Sequence, residues 1–69
     1  MSEPVLYERR GPAAWIVLNR PAKLNAMNAP LVAGVRDLVA RAAADDEVKI
    51  VVLTGAGRAF SAGFDIAEE

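Results

Sequence analysis

Apolar and polar positions alternate over residues 5–10, with Val5, Tyr7 and Arg9 on one side and Leu6, Glu8 and Arg10 on the other. That period of two predicts a half-buried strand. Gly11-Pro12 is a turn signal. Residues 13–18 then form a second apolar run around Trp15, Ile16 and Val17, all good strand formers. A hairpin through Gly11-Pro12 is the simplest joint between the two. Asn19-Arg20-Pro21 ends the second strand, because proline donates nothing to a ladder and pushes the residue before it to an extended conformation. Residues 20–28 read as a loop. Asn28 suits a helix N-cap, with Pro30 in the first turn. From there Leu31, Val35, Leu38, Val39 and Ala42 recur at helical spacing, and the pattern predicts a helix over 29–44 with Arg36, Asp37 and Arg41 off its apolar face. Asp45-Asp46 ends it. In residues 48–53, Ile50, Val51, Val52 and Leu53 follow one another. An unbroken branched run is what a strand buried on both faces requires, as inside a parallel α/β layer. Strand, helix and strand make a βαβ crossover, expected to be right-handed.

Beyond that strand comes a glycine-rich exit, Thr54-Gly55-Ala56-Gly57-Arg58, and then Ala59-Phe60-Ser61-Ala62-Gly63-Phe64, small residues around two aromatics. Asp65 with Glu68 three residues later fits a capping-box variant and predicts a helix start. There is no internal repeat, low-complexity tract or linker. The inventory is lopsided, since a strand asking for cover on two faces has one helix available. The expectation is a single α/β domain of which residues 1–69 are the N-terminal part, its remainder lying elsewhere. The alternative is a complete miniature domain stabilised by oligomerisation.

Composition sharpens this. The 69 residues include no cysteine and no histidine, which excludes disulfides and any mechanism needing a cysteine nucleophile or a histidine base from these residues. No metal site is expected, carboxylates alone being poor zinc ligands. The apolar fraction of 54% is too high for disorder. Net charge is −1, with +3 on residues 1–36 and −4 on residues 37–69. A nucleic-acid or anionic-membrane partner would call for a basic excess, so neither is expected. No 18-residue apolar run is present, and Met-Ser-Glu-Pro-Val lacks the basic-then-apolar order of a secretory signal. A cytoplasmic location is the expectation.

Candidate chemistry is sparse. Gly55-x-Gly57 after a strand invites a dinucleotide reading, but position 60 is Phe60 where a third glycine is needed, and no helix follows at once. Both glycines read as turn residues. Ser61-Ala62-Gly63-Phe64-Asp65 says more. Small residues let a ligand approach the main chain, and a helix N-terminus favours negative charge. The segment is either an ordinary loop before a capped helix or an anion site whose N–H groups hold a developing oxyanion. Asp65 reads as a cap, Arg20 and Lys23 as solvated cations flanking the Pro21 loop, and Trp15 as core.

Two stretches match something more specific. Leu18-Asn19-Arg20-Pro21-x-Lys23-Leu24-Asn25-Ala26-Met27 resembles the N-terminal motif of the enoyl-CoA hydratase/isomerase (crotonase) superfamily. Residues 51–66, Val-Val-Leu-Thr-Gly-Ala-Gly-Arg-Ala-Phe-Ser-Ala-Gly-Phe-Asp-Ile, resemble the next motif of the same family. The two occur in order, separated by a helix of the expected length. The resemblance implies an α/β fold of the ClpP/crotonase type, ββα turns wound into a right-handed spiral, and assembly into homotrimers or hexamers. It implies an acyl-coenzyme A thioester as ligand, with coenzyme A part of the substrate and no separate cofactor. In the family two main-chain N–H groups bind the thioester carbonyl and stabilise an enolate-like anion. The first belongs to the position that is Phe64 here. Ala62, Gly63, Phe64, Asp65 and Ile66 would line the acyl-thioester and pantetheine channel, while Lys23, Leu24 and Ala26 match the loop that meets the adenosine end of coenzyme A.

One departure stands out. Many members carry alanine where this chain has Phe64, which keeps the N–H and changes the pocket wall. The family's second oxyanion donor and usual catalytic carboxylates fall beyond Glu69. The expectation is therefore the acyl-CoA-binding portion of an enzyme that hydrates or isomerises an enoyl-CoA. The alternative is a non-catalytic remnant, or a coenzyme A-binding or assembly module. Under either reading the 69-residue chain alone is expected to be inactive.

Overall fold

The computed structural model describes residues 3–66. Two strands form where the alternation places them, β1 at Val5–Arg10 and β2 at Ala13–Leu18. They pair antiparallel from Val5 opposite Leu18 to Arg10 opposite Ala13, leaving Gly11-Pro12 as a two-residue connection. Gly11 sits at φ +58, a backbone setting that glycine adopts without steric cost. Helix α1 spans Ala29–Ala43, and the Asn28 side chain accepts a hydrogen bond from the Leu31 N–H at 3.1 Å. The third strand, β3, spans Ile50–Gly55 and runs parallel to β2, giving the order β1-β2-β3.

One face of the sheet holds the core. Val5, Ile16, Leu18 and Leu31 are buried together, with Tyr7, Met27, Val35 and Leu38 packed against them. Fully burying a side chain of this size contributes about 1.5–3 kcal/mol. On α1, Leu31 and Ala42 are buried, whereas Val39 is exposed and lies off the apolar face the spacing assigned to it. Arg41 keeps its charge near water while stacking on the Tyr7 ring, 4.4 Å from its centroid. On the opposite sheet face Arg10 stacks on Trp15 at 4.4 Å, and Trp15 is half-buried rather than core.

Four expectations are corrected. The third strand starts at Ile50, not at residue 48, and continues through Gly55. Val48 closes a turn onto the Asp45 carbonyl at 3.0 Å, and the N–H groups of Lys49 and Ile50 converge on the Pro12 carbonyl. At its far end β3 follows β2, with Thr54 and Gly55 opposite Val17 and Leu18. Pairing, not hydropathy, sets both ends. Second, α1 packs against β2 and β1 and leaves β3 uncovered: Ile50, Val51 and Leu53 are 55%, 48% and 43% exposed. Third, the loop at 20–28 holds a one-turn 3-10 helix, Pro21–Lys23, followed by Leu24 and Asn25 at φ 53 and 55. Helix α1 itself ends at Ala43, one residue before the expected limit.

Candidate functional site

Asn25 ties the two ends of the crossover together. It is fully buried. Its Oδ1 accepts from the Arg20 N–H at 2.7 Å, and its Nδ2 donates to the carbonyls of Ala56 and Ala59 at 2.9 and 2.8 Å. Its own carbonyl accepts from Ser61 Oγ at 2.8 Å, and that hydroxyl accepts from the Gly63 N–H at 3.0 Å. Gly55 makes the approach possible. A Cβ there would lie 2.4 Å from the Phe60 carbonyl oxygen and 2.6 Å from that of Ala59. Gly55 is therefore a close-approach glycine inside a strand, not the turn residue the sequence suggested, whereas Gly57 at φ +82 does serve a turn.

Beyond this clamp the two segments run parallel. The Ala62 N–H donates to the Leu24 carbonyl at 2.9 Å, the Met27 N–H to the Gly63 carbonyl at 2.8 Å, and the Asp65 N–H to the Met27 carbonyl at 3.0 Å. Met27 and Phe64 thus form a one-residue parallel bridge. A trans peptide sets its C=O and N–H in opposite directions. With the Gly63 carbonyl turned to Met27, the N–H of the same peptide, that of Phe64, points away from it. Among the described residues that N–H meets no acceptor. The bond that Met27 makes to the Gly63 oxygen also polarises the peptide, and coupled hydrogen bonds of this kind strengthen the remaining donor.

Phe64, Asp65 and Ile66 line an open groove of about 610 Å³, facing Met27 and the first turns of α1, with Ala29 and Val32 on its floor. The wall is mainly apolar, and the Phe64 side chain is 78% exposed along it. Asp65 is held beneath by Arg20. The guanidinium donates to the Asp65 carboxylate at 3.2 Å and to the Ala26 carbonyl, with side-chain exposures of 13% for Arg20 and 10% for Asp65. Arg20 is thus not the solvated cation the sequence suggested, whereas Lys23 is exposed.

The structure brings Phe64, Asp65 and Ile66 to one groove. It puts Ala62 and Gly63 on the segment leading into it, and Leu24 and Ala26 on the segment bonded to that one. Lys23, Leu24, Ala26, Ala62 and Gly63 do not line that groove. The helix expected from Asp65 falls largely on residues 67–69, which with Glu68 lie outside the described residues; Asp65 itself is bonded in extended pairing to Met27. Sequence reading missed Asn25, Ser61 and the Arg20–Asp65 pair. An asparagine after a proline turn reads as a surface turn residue, and only the return of residues 56–61 in space buries it.

Comparison with known proteins agrees with the resemblance. The family model described as enoyl-CoA hydratase/isomerase matches residues 13–68. A short-chain-enoyl-CoA hydratase of Clostridium acetobutylicum is 40% identical over 65 residues, covering 93% of this chain and 25% of that protein. The 3-hydroxyisobutyryl-CoA hydrolase 1 of Arabidopsis thaliana is 40% identical over 63 residues, covering 91% and 17%. The solved structure of a carnitinyl-CoA dehydratase from Mycobacterium avium superposes with a TM-score of 0.93 at 46% identity, over 99% of this chain and 27% of its own. The chain spans about a quarter or less of the length of these relatives.

Proposed function

The chain belongs to the enoyl-CoA hydratase/isomerase family, and from that premise we propose that it supplies the first oxyanion donor and part of the acyl channel of an enzyme that hydrates or isomerises an enoyl-CoA thioester. The observation that carries this reading is the Phe64 N–H, which meets no acceptor among the described residues and is turned away from Met27 by the bridge, in a residue that also lines an apolar groove. A thioester carbonyl set against it gains electron density as the α-carbon or β-carbon reacts, and a fixed N–H stabilises that charge more in the transition state than in the ground state. The Phe64 side chain then forms a wall for the acyl group. Lys23, Leu24 and Ala26 meet the nucleotide end of coenzyme A. The carbonyls of all three already accept one hydrogen bond, from Ala26, Ala62 and Arg20 respectively, and each keeps a second lone pair for a ligand. Relatives named as hydratase, hydrolase and dehydratase share this segment, which fits a common anion site and reaction chemistry decided by other side chains. The working protein is proposed to be cytoplasmic and homo-oligomeric.

Proline at 64 is the direct test, because the amide it removes has no bond among the described residues. With residues 1–69 grafted into the matching region of the Clostridium hydratase, Phe64→Pro is expected to lower kcat about 10²–10³-fold while coenzyme A binding changes little. Equal loss of both rejects the assignment. The 69-residue chain assayed alone is expected to hydrate crotonyl-CoA no faster than buffer, and turnover above that background would show that one donor and the groups present suffice.

A further inference from the structure

Asp65 presents a difficulty for any anion site at Phe64. The residue follows the donor directly and borders the same groove, and its side chain is only 10% exposed, so water screens the carboxylate weakly. A negative charge placed there opposes the charge gathering on an acyl oxygen. Arg20 answers it. The guanidinium lies 3.2 Å from the Asp65 carboxylate and is itself 13% exposed. Its main chain is pinned on both sides, the N–H by Asn25 Oδ1 at 2.7 Å and the carbonyl by the N–H groups of Lys23 and Asn25 at 2.9 and 2.8 Å. The same guanidinium binds the Ala26 carbonyl, one residue before the Met27 that orients the Gly63–Phe64 peptide.

We propose that Arg20 is a positioning residue for the thioester site, cancelling the Asp65 charge beside the Phe64 N–H and holding the Ala26–Met27 segment against residues 63–65. The inference rests on the reading of Phe64 as the donor, and the two are separable. The chain contains two phenylalanines, so ¹⁵N-phenylalanine labelling yields two amide signals, Phe60 and Phe64. Acetoacetyl-CoA, a β-keto thioester that forms a stable enolate, is titrated into wild type, Arg20→Lys, Arg20→Met and the double variant Arg20→Met with Asp65→Asn. In wild type the Phe64 signal moves downfield and the Phe60 signal stays; no movement of Phe64 overturns the donor assignment and this inference with it. Charge compensation predicts about tenfold weaker enolate binding for Arg20→Met, since the buried Asp65 carboxylate then loses the Arg20 guanidinium. It predicts recovery to within about threefold in the double variant, with Arg20→Lys between the two. If wild type responds and the double variant is no better than Arg20→Met, Arg20 acts through packing alone and the proposal fails. It fails equally if Arg20→Met matches wild type. Where a variant of the isolated chain aggregates, the same four sequences grafted into the Clostridium hydratase, read by near-ultraviolet absorbance of the bound enolate, return the same ordering or reject it.

Discussion

Asn25 joins the two ends of the crossover through one fully buried side chain. Its carboxamide satisfies the N–H of Arg20, five residues back, and two carbonyls more than thirty residues ahead. Truncating it strands those groups, and a buried unsatisfied polar atom costs about 1–3 kcal/mol. Asn25→Ala is therefore expected to lower stability by about 3 kcal/mol, measured by urea unfolding with Trp15 fluorescence. A loss under 1 kcal/mol would mean that water enters and replaces the amide. Asn25 at φ 55 also suits the left-handed setting that asparagine tolerates better than most residues. Leu24 at φ 53 has no such excuse, and its strain is held by the surrounding bonds. None of this was legible in the sequence. Leu24-Asn25-Ala26 shows a motif, but burial is a property of what comes back over it.

At the level of elements, both strands of the hairpin and the start of α1 were readable from residue order, because alternation, a Gly-Pro turn and an asparagine cap are local signals. The extent of β3 was not, since its ends depend on β2. The corner where β1, α1 and β3 meet is tied electrostatically. Arg9 pairs with Asp45 and reaches Glu47 at 3.3 Å, and the Glu47 N–H donates to Asp45 Oδ1 at 2.9 Å. The Glu47 amide first, and the Arg9 guanidinium with it, hold the Asp45 carboxyl below the usual aspartate range. A folded-state pKa lowered in this way stabilises the fold above the unfolded aspartate pKa, about 3.9, and that stability is lost as pH falls through the lower folded value. Thermal melts between pH 6 and pH 2 are expected to fall more steeply below about pH 4 in wild type than in Asp45→Asn. Parallel curves would show that the corner adds nothing. The Glu8 carboxyl, lowered by its hydrogen bond and charge contact with Arg10, contributes in the same direction.

For the molecule as a whole, the sequence already required cover that one helix could not give, and the structure shows where it is missing. Helix α1 leans over β1 and β2, so Val51 and Leu53 lie open beside the core, and β3 is also a sheet edge. Phe64 and Ile66 extend the apolar surface at 78% and 84% exposure. An uncovered apolar strand with one open edge is a template for association. The 69-residue chain is expected to self-associate in a concentration-dependent way, seen by sedimentation. The double substitution Val51→Lys with Leu53→Lys is expected to keep it monomeric without lowering its unfolding midpoint. A wild-type chain that stays monomeric at high concentration would show that this surface is less adhesive than its composition implies.

The span of the Asn25 clamp also bears on how the chain is made. Asn25 leaves the ribosome thirty-one residues ahead of Ala56, its first acceptor. At 5–20 residues per second that is a wait of about 2–6 s, during which the amide can bond only water or nascent neighbours. The hairpin can close early, whereas the groove and its outward amide appear together, in the last moments of synthesis of this segment.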